Sequence, residues 1–212
     1  MACEKLTLSD VKSIFGSLKE VMISNRDKLI ELDGIMGDGD LGLTMVNAFN
    51  AAVDEFPAEE NDLGKVFIKT GMAMSKAAPS TMGTLLATGF MRGGKAVKEK
   101  TELGILETAQ FWRAFVAGME ERGKTGPGDK TIIDSLDPAA GALEKAAEAG
   151  KSLKEGFADA FLAAEEGMEN TRTMAAQVGR LAYNQEKSKT IIDPGSVVGY
   201  LVMKTFAEYF ST

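Results

Sequence analysis

Apolar residues return every third and fourth position along almost the whole chain. Val11, Ile14, Phe15, Leu18, Val21 and Met22 share one helical face behind a Thr7/Ser9 start. Met45, Ala48, Phe49, Ala52 and Phe56 form a second face, and Leu63, Val66, Phe67 and Met74 a third. Leu85, Leu86, Phe90 and Val97 suit a fourth, and Leu103, Leu106, Phe111, Phe115 and Met119 mark a fifth. Three more Ala-rich or Leu-rich periodic stretches cover about 131–148, 152–175 and 194–211. Alternating strand patterns are missing and β-branched residues are sparse. The pattern predicts about eight helices, with loops near 33–43, 57–61, 77–81, 98–101, 123–130, 149–151 and 184–194. Short connections make the expected fold an all-α, up-and-down multi-helix bundle. At 212 residues with no linker or repeat, one domain over 1–212 is expected.

Composition narrows the chemistry more than the fold. The chain has no histidine. That removes the commonest general base, the Ser-His-Asp and Cys-His nucleophile systems, and every His-ligated metal site. Cys3 is the single cysteine, so no internal disulfide forms and thiolate zinc sites go too. What remains is oxygen-ligand chemistry, which favours Mg²⁺ or Ca²⁺. A net charge of −7 argues against a broad nucleic-acid footprint. No apolar run is long enough to span a bilayer, and MACEKLTLSD lacks the features of a secretory signal. A cytoplasmic protein is expected, with no nucleic-acid or membrane partner. An anionic substrate would need a local cationic site or a bound metal.

Two formal motif matches fail on context. Gly118-MEER-Gly123-Lys124-Thr125 has P-loop spacing, but Gly118 sits inside the amphipathic run TAQFWRAFVAGMEER, which reads as a helix end. Gly37, Gly39 and Gly42 make a G-x-G-x-x-G, yet KLIELDG before it is helical in period rather than a strand. An EF-hand starting at Asp38 would need Glu at its twelfth position, where Phe49 stands.

The acidity of LDGIMGDGDLGLTM (32–45) says more than its glycines. Asp33, Asp38 and Asp40 lie within eight residues, and clustered carboxylates repel unless protonated, solvated apart or neutralised by a cation. A polar turn in which Asp33 or Asp40 caps a helix fits the spacing equally well. With a hard divalent metal in place, phosphate oxygens could join such a loop. Two other stretches could complete a site. GKTGPGDKT (123–131) offers Lys124, Lys130 and backbone N–H groups near a helix start. The polar segment 170–196 carries Arg180 and ends in Asp-Pro-Gly-Ser.

Taken together, LDGIMGDGDLGLTM, GMAMSKAAPSTMGTLLATGFMR, RGKTGPGDKTIIDSLDPA and GRLAYNQEKSKTIIDPGS resemble the nucleotide-binding L subunit, or L domain, of dihydroxyacetone kinases. The resemblance implies a closed barrel of eight antiparallel helices with nucleotide, ATP or ADP, held in the loops at one end. It implies that Asp33, Asp38 and Asp40 hold two Mg²⁺ ions. Leu41, Gly42, Leu43 and Thr44 would contact the nucleotide, and Thr81, Met82 and Gly83 would line its phosphate and nucleoside region. Gly123 and Ile132 would border the base, Arg180 would bind phosphate, and Asp193, Pro194 and Gly195 would close the site. The chain departs from the family at Leu41, where His or Thr is common, and at Pro79–Gly83, where Gly-Gly-x-Ser-Gly is common. Tyr183–Lys187 and Ile191-Ile192 also differ.

The resemblance implies a kinase subunit that works with a separate K subunit, on which a short ketose such as dihydroxyacetone is bound to histidine. The general base would sit on that partner. The donor, ATP or a phosphotransferase-system protein, and a homodimer are left open. Rival readings are a non-catalytic nucleotide-binding regulator on the same fold and a kinase domain for another acceptor such as a fatty acid.

Overall fold

The computed structural model describes residues 5–211 apart from Met36; Cys3 and Met36 lie outside the described residues. A two-residue strand, β1 (Leu6–Thr7), leads into α1 (Leu8–Ser24), followed by α2 (Arg26–Gly34) and α3 (Leu41–Asp54). Next come α4 (Leu63–Ala77), α5 (Thr81–Ala96), the strand β2 (Glu102–Leu103) and α6 (Ile105–Gly123). The chain ends with α7 (Ile133–Glu148), α8 (Leu153–Asn170), the single turn α9 (Gln185–Ser188) and α10 (Pro194–Ser211).

The eight long helices form a ring. From α1 the order of packing is α3, α4, α5, α6, α7, α8, α10 and back to α1. The expected closed all-α barrel is therefore present. The two short helices, α2 and α9, sit in connections.

Aromatic rings fill the interior. Phe15, Phe90, Phe115, Trp112, Phe206, Phe157 and Phe210 form an unbroken chain with successive centroids 4.9–5.2 Å apart. Tilted and offset pairs of this kind add to the stabilisation from burial alone. The faces read from periodicity are the ones buried: Val11, Ile14, Phe15, Leu18 and Met22 on α1, and Leu63, Val66, Phe67 and Met74 on α4. Thr7 caps α1 as its position suggested, in a reciprocal box with Asp10.

Three expectations change. Leu106 is not core: it is 57% exposed, on the outward side of the first turn of α6, whose Ile105 and Thr108 are turned inward. Leu103 is buried, but in β2, where it pairs with Leu6. The connection before the last helix is much longer than 184–194. Helix α8 stops at Asn170, and residues 171–193 form an excursion with 3₁₀ turns at Thr171–Thr173 and Arg180–Asn184.

The connections alternate between the two ends of the barrel. At one end the 55–62 and 97–104 segments are tied by Leu63 N–H to the Lys100 carbonyl (2.7 Å) and Glu99 N–H to Asp62 Oδ1 (3.0 Å). The β1–β2 pair adds to this end. Four further connections, 35–40, 78–80, 124–132 and 171–193, gather elsewhere.

Candidate functional site

Those four connections line one cavity of about 410 Å³. They precede α3, α5, α7 and α10, and the first residues of these helices, Leu41, Thr81, Ile133 and Pro194, all line it. Up-and-down winding thus aims four helix N-termini at one space. Each N-terminus carries partial positive charge and N–H groups without intrahelical acceptors, an arrangement suited to anions. In a chain of net charge −7 the partial positive charge of four helix starts is gathered around one cavity.

The acidic loop forms one wall. Asp33 lies in the last turn of α2, not in the loop, because that helix runs on to Gly34. Its Oδ2 accepts the N–H groups of Asp40 (3.0 Å) and Leu41 (3.3 Å), capping α3 from outside. The helix-cap reading of the loop is correct for Asp33. It does not exclude the metal reading, since Asp33, Asp38 and Asp40 each place a carboxylate oxygen within 4.8 Å of the others. Burial holds the Asp40 carboxyl above the ordinary carboxylate range, and the charges of Asp38 and Asp33 push the same way. Arg180 opposes them. A cation would relieve this repulsion, and an all-oxygen donor set fits Mg²⁺. Gly37 lies against Asp33, where a Cβ would fall 2.2 Å from Oδ1. The residues present therefore fit a hard divalent ion.

Facing this wall is Arg180, at the start of the second 3₁₀ turn. Its Nη2 donates to Asp38 Oδ2 at 2.5 Å, joining the excursion to the acidic loop. Asp193 and Lys130 close the floor. The Asp193 carboxylate caps α10 by accepting Ser196 N–H at 2.6 Å, with Pro194 at the first helical position. Burial pushes the Asp193 carboxyl up to about 7. Lys130 is 2% exposed and its Nζ donates to the carbonyls of Thr171, Ser188 and Ile191.

Lys130 lines the cavity, as do twelve of the residues that the resemblance assigned to the site: Asp33, Asp38, Asp40, Leu41, Thr81, Met82, Gly123, Ile132, Arg180, Asp193, Pro194 and Gly195. Four do not. Gly42 packs against the Arg26 carbonyl, and Gly83 against that of Ala78. Leu43 points outward at 51% exposure, and Thr44 is buried in the first turn of α3. Sequence reasoning missed Leu85 and Met119, which help line the cavity, and Val178 and Gly179 on the excursion. Ser80, which with Thr81 could stand in for the family's serine hydroxyl, also lines the cavity and caps α5 by accepting Gly83 N–H at 3.1 Å. A Ser ahead of an apolar periodic run was the available signal for it. The P-loop match at 118–125 is a helix end: α6 stops at Gly123 and Lys124 takes the left-handed conformation, φ 53°.

Comparison with known proteins identifies the family and the fold. The DAK2 domain family matches residues 35–208. The ADP-binding subunit DhaL of the PEP-dependent dihydroxyacetone kinase of Escherichia coli is 31% identical over 189 residues, 89% of this chain and 90% of that protein. The ADP-binding subunit DhaL of PEP-dependent dihydroxyacetone kinase 1 of Listeria innocua is 31% identical over 173 residues, 81% of each chain. Among solved structures, the dihydroxyacetone kinase of C. freundii in complex with AMP-PNP and Mg²⁺ superposes with a TM-score of 0.69 at 24% identity. That match covers 94% of this chain and 34% of the longer kinase, and it bears on the fold. No helix among the described residues is long and apolar enough to cross a membrane.

Proposed function

This chain belongs to the DAK2 domain family, and from that premise we propose that it is the nucleotide-binding subunit of a dihydroxyacetone kinase-type complex. It carries ADP or ATP with Mg²⁺ and passes a phosphoryl group to a short ketose held on a separate K-type subunit. The observation that carries this reading is the convergence of four helix N-termini and three aspartates on one cavity. The two DhaL relatives, named as ADP-binding subunits of PEP-dependent kinases over 90% and 81% of their lengths, support the phosphotransferase-type donor over exchangeable ATP.

In this reading the helix N-termini of α3, α5 and α10 hold phosphate oxygens, while Leu85, Met119 and Ile132 offer an apolar wall to the base. Asp33, Asp38 and Asp40 hold two Mg²⁺ ions, which when bound neutralise charge on the phosphates. Asp33 is preset for that role by its two backbone bonds. Arg180 supplies positive charge from the opposite side, as phosphoryl transfer requires at the developing charge. Among the described residues lining the cavity, none is placed for proton abstraction from a sugar hydroxyl in this reading. The chain has no histidine, Lys130 is buried against three carbonyls, and Asp193 is spent on capping α10. That proton is accepted on the partner. The chain works as one domain over 1–212.

The deciding experiment begins with chromatography of the denatured protein, which should release ADP or ATP. The chain is then mixed with a K-type subunit, dihydroxyacetone, and either ATP or the phosphotransferase donor. Sugar phosphate should form only in the full mixture. A chain that neither carries nucleotide nor takes it up on soaking would overturn the reading.

A further inference from the structure

The 171–193 excursion has a fastening that the phosphoryl-transfer reading does not use. Residues 175–192 carry Arg180, yet lie outside the ring of long helices. Among the described residues, three sets of hydrogen bonds join them to the rest of the chain. One is the Arg180–Asp38 pair. A second runs from Gln177 N–H to the Asp129 carbonyl (3.1 Å). The third comes from Lys130 Nζ, which donates to the carbonyls of Ser188 (2.8 Å) and Ile191 (2.5 Å), and also to Thr171 at the excursion's start. One ammonium thus grips both stems of the loop.

The chemistry of that grip is costly to lose. Lys130 is 2% exposed, and an ammonium so placed must have its three donors met. All three are met by backbone carbonyls, so no side-chain change on the excursion can remove an acceptor. The Lys130 backbone takes a left-handed φ of 62°, which turns the side chain inward from the 124–132 connection. Remove the ammonium and three buried carbonyls lose a charged donor together.

We infer that Lys130 is a positioning residue for Arg180: it fixes the stems of the excursion so that the guanidinium stands over the acidic loop. The inference rests on the nucleotide reading for its effect on binding, but its structural half is tested without nucleotide. Hydrogen exchange and the Nε–H resonance of Arg180 are measured on the free protein. In Lys130→Met, exchange of 175–190 should rise at least tenfold while α4, α5 and α6 keep their protection. The Arg180 resonance should move to the position it takes in Asp38→Asn. Lys130→Arg, which keeps a buried cation with donors, should restore part of both. A folded Lys130→Met with unchanged exchange and resonance overturns the inference.

If Lys130→Met does not fold, native-state exchange of the unaltered chain in rising urea decides instead. Amides of 175–190 should open in the same event as those of 129–131; separate openings overturn the clasp. For nucleotide, Lys130→Met and Arg180→Gln should each weaken ATP binding about tenfold, and the double variant no more than the larger single loss. Additive losses would show that Lys130 does not act through Arg180. If the unaltered chain binds no nucleotide, the proposed function fails while exchange and resonance still judge the clasp.

Discussion

Gly37 sits where no side chain fits, because a Cβ there would lie 2.2 Å from Asp33 Oδ1 and 2.6 Å from the Asp33 carbonyl. The Gly37 N–H donates to that same carbonyl at 2.6 Å. The loop is thus folded back onto the carboxylate it must present. Gly37→Ala should move Asp33 off its bonds to Asp40 and Leu41. We expect Mn²⁺ affinity, read by electron paramagnetic resonance, to fall by about tenfold, ~1.4 kcal/mol. Retained affinity would remove Asp33 from the ligand set.

Asp38→Ala removes one carboxylate from the cluster and the partner of Arg180 at once. Bound nucleotide should be lost on purification, with helical circular dichroism unchanged. Nucleotide retained at the unaltered level would place the phosphates elsewhere.

Asp193 should make stability fall as pH rises. Burial raises its folded-state value from 3.8 to about 7, with Asp134 and Asp33 adding to the rise and Lys130 and the Ser196 N–H opposing it. The folded chain therefore holds a proton that the unfolded chain has released. That contribution is full below the unfolded value near 3.8 and is lost as pH climbs through about 7. Three units correspond to roughly 4 kcal/mol. Asp193→Asn keeps the acceptor for Ser196 N–H and removes the titration. Its Tm should match the parent below the unfolded value of 3.8 and exceed it increasingly up to the folded value of about 7; parallel curves would contradict the assignment.

Helices α4 and α5 touch through glycine. A Cβ on Gly64 would lie 2.5 Å from the Gly94 carbonyl and 2.7 Å from Lys98 Cα. Gly64→Ala must spread the two helices at the end away from the cavity. A loss of about 1–3 kcal/mol is expected in urea unfolding, as for other overpacked contacts. Nucleotide affinity should stay within twofold, since Gly64 does not line the cavity.

The barrel was legible because eight amphipathic faces each bury one stripe, and periodicity reports that directly. Leu106 misled because a single apolar residue in a first turn looks periodic whichever way the turn faces. The excursion was harder to read. Its order comes from Lys130 reaching three carbonyls 41 to 61 positions away, and carbonyls leave no trace in sequence. Asp33, Asp38 and Asp40 were readable as a cluster, but not that Asp33 also caps a helix. Gly42, Leu43, Thr44 and Gly83 came from the family resemblance rather than from spacing, and only one face of each helical first turn forms the cavity lining.

The four helix starts around the cavity have a consequence for descent. Their charge belongs to peptide groups, so neither substitution nor protonation can erase it. Leu41 and Met82 can stand where the family resemblance leads one to expect His or Thr and Ser, and the partial positive charge around the cavity persists. Two thirds of the positions shared with the Escherichia coli relative have drifted, at 31% identity. What lineage must conserve is the winding: helices that keep starting at the same rim.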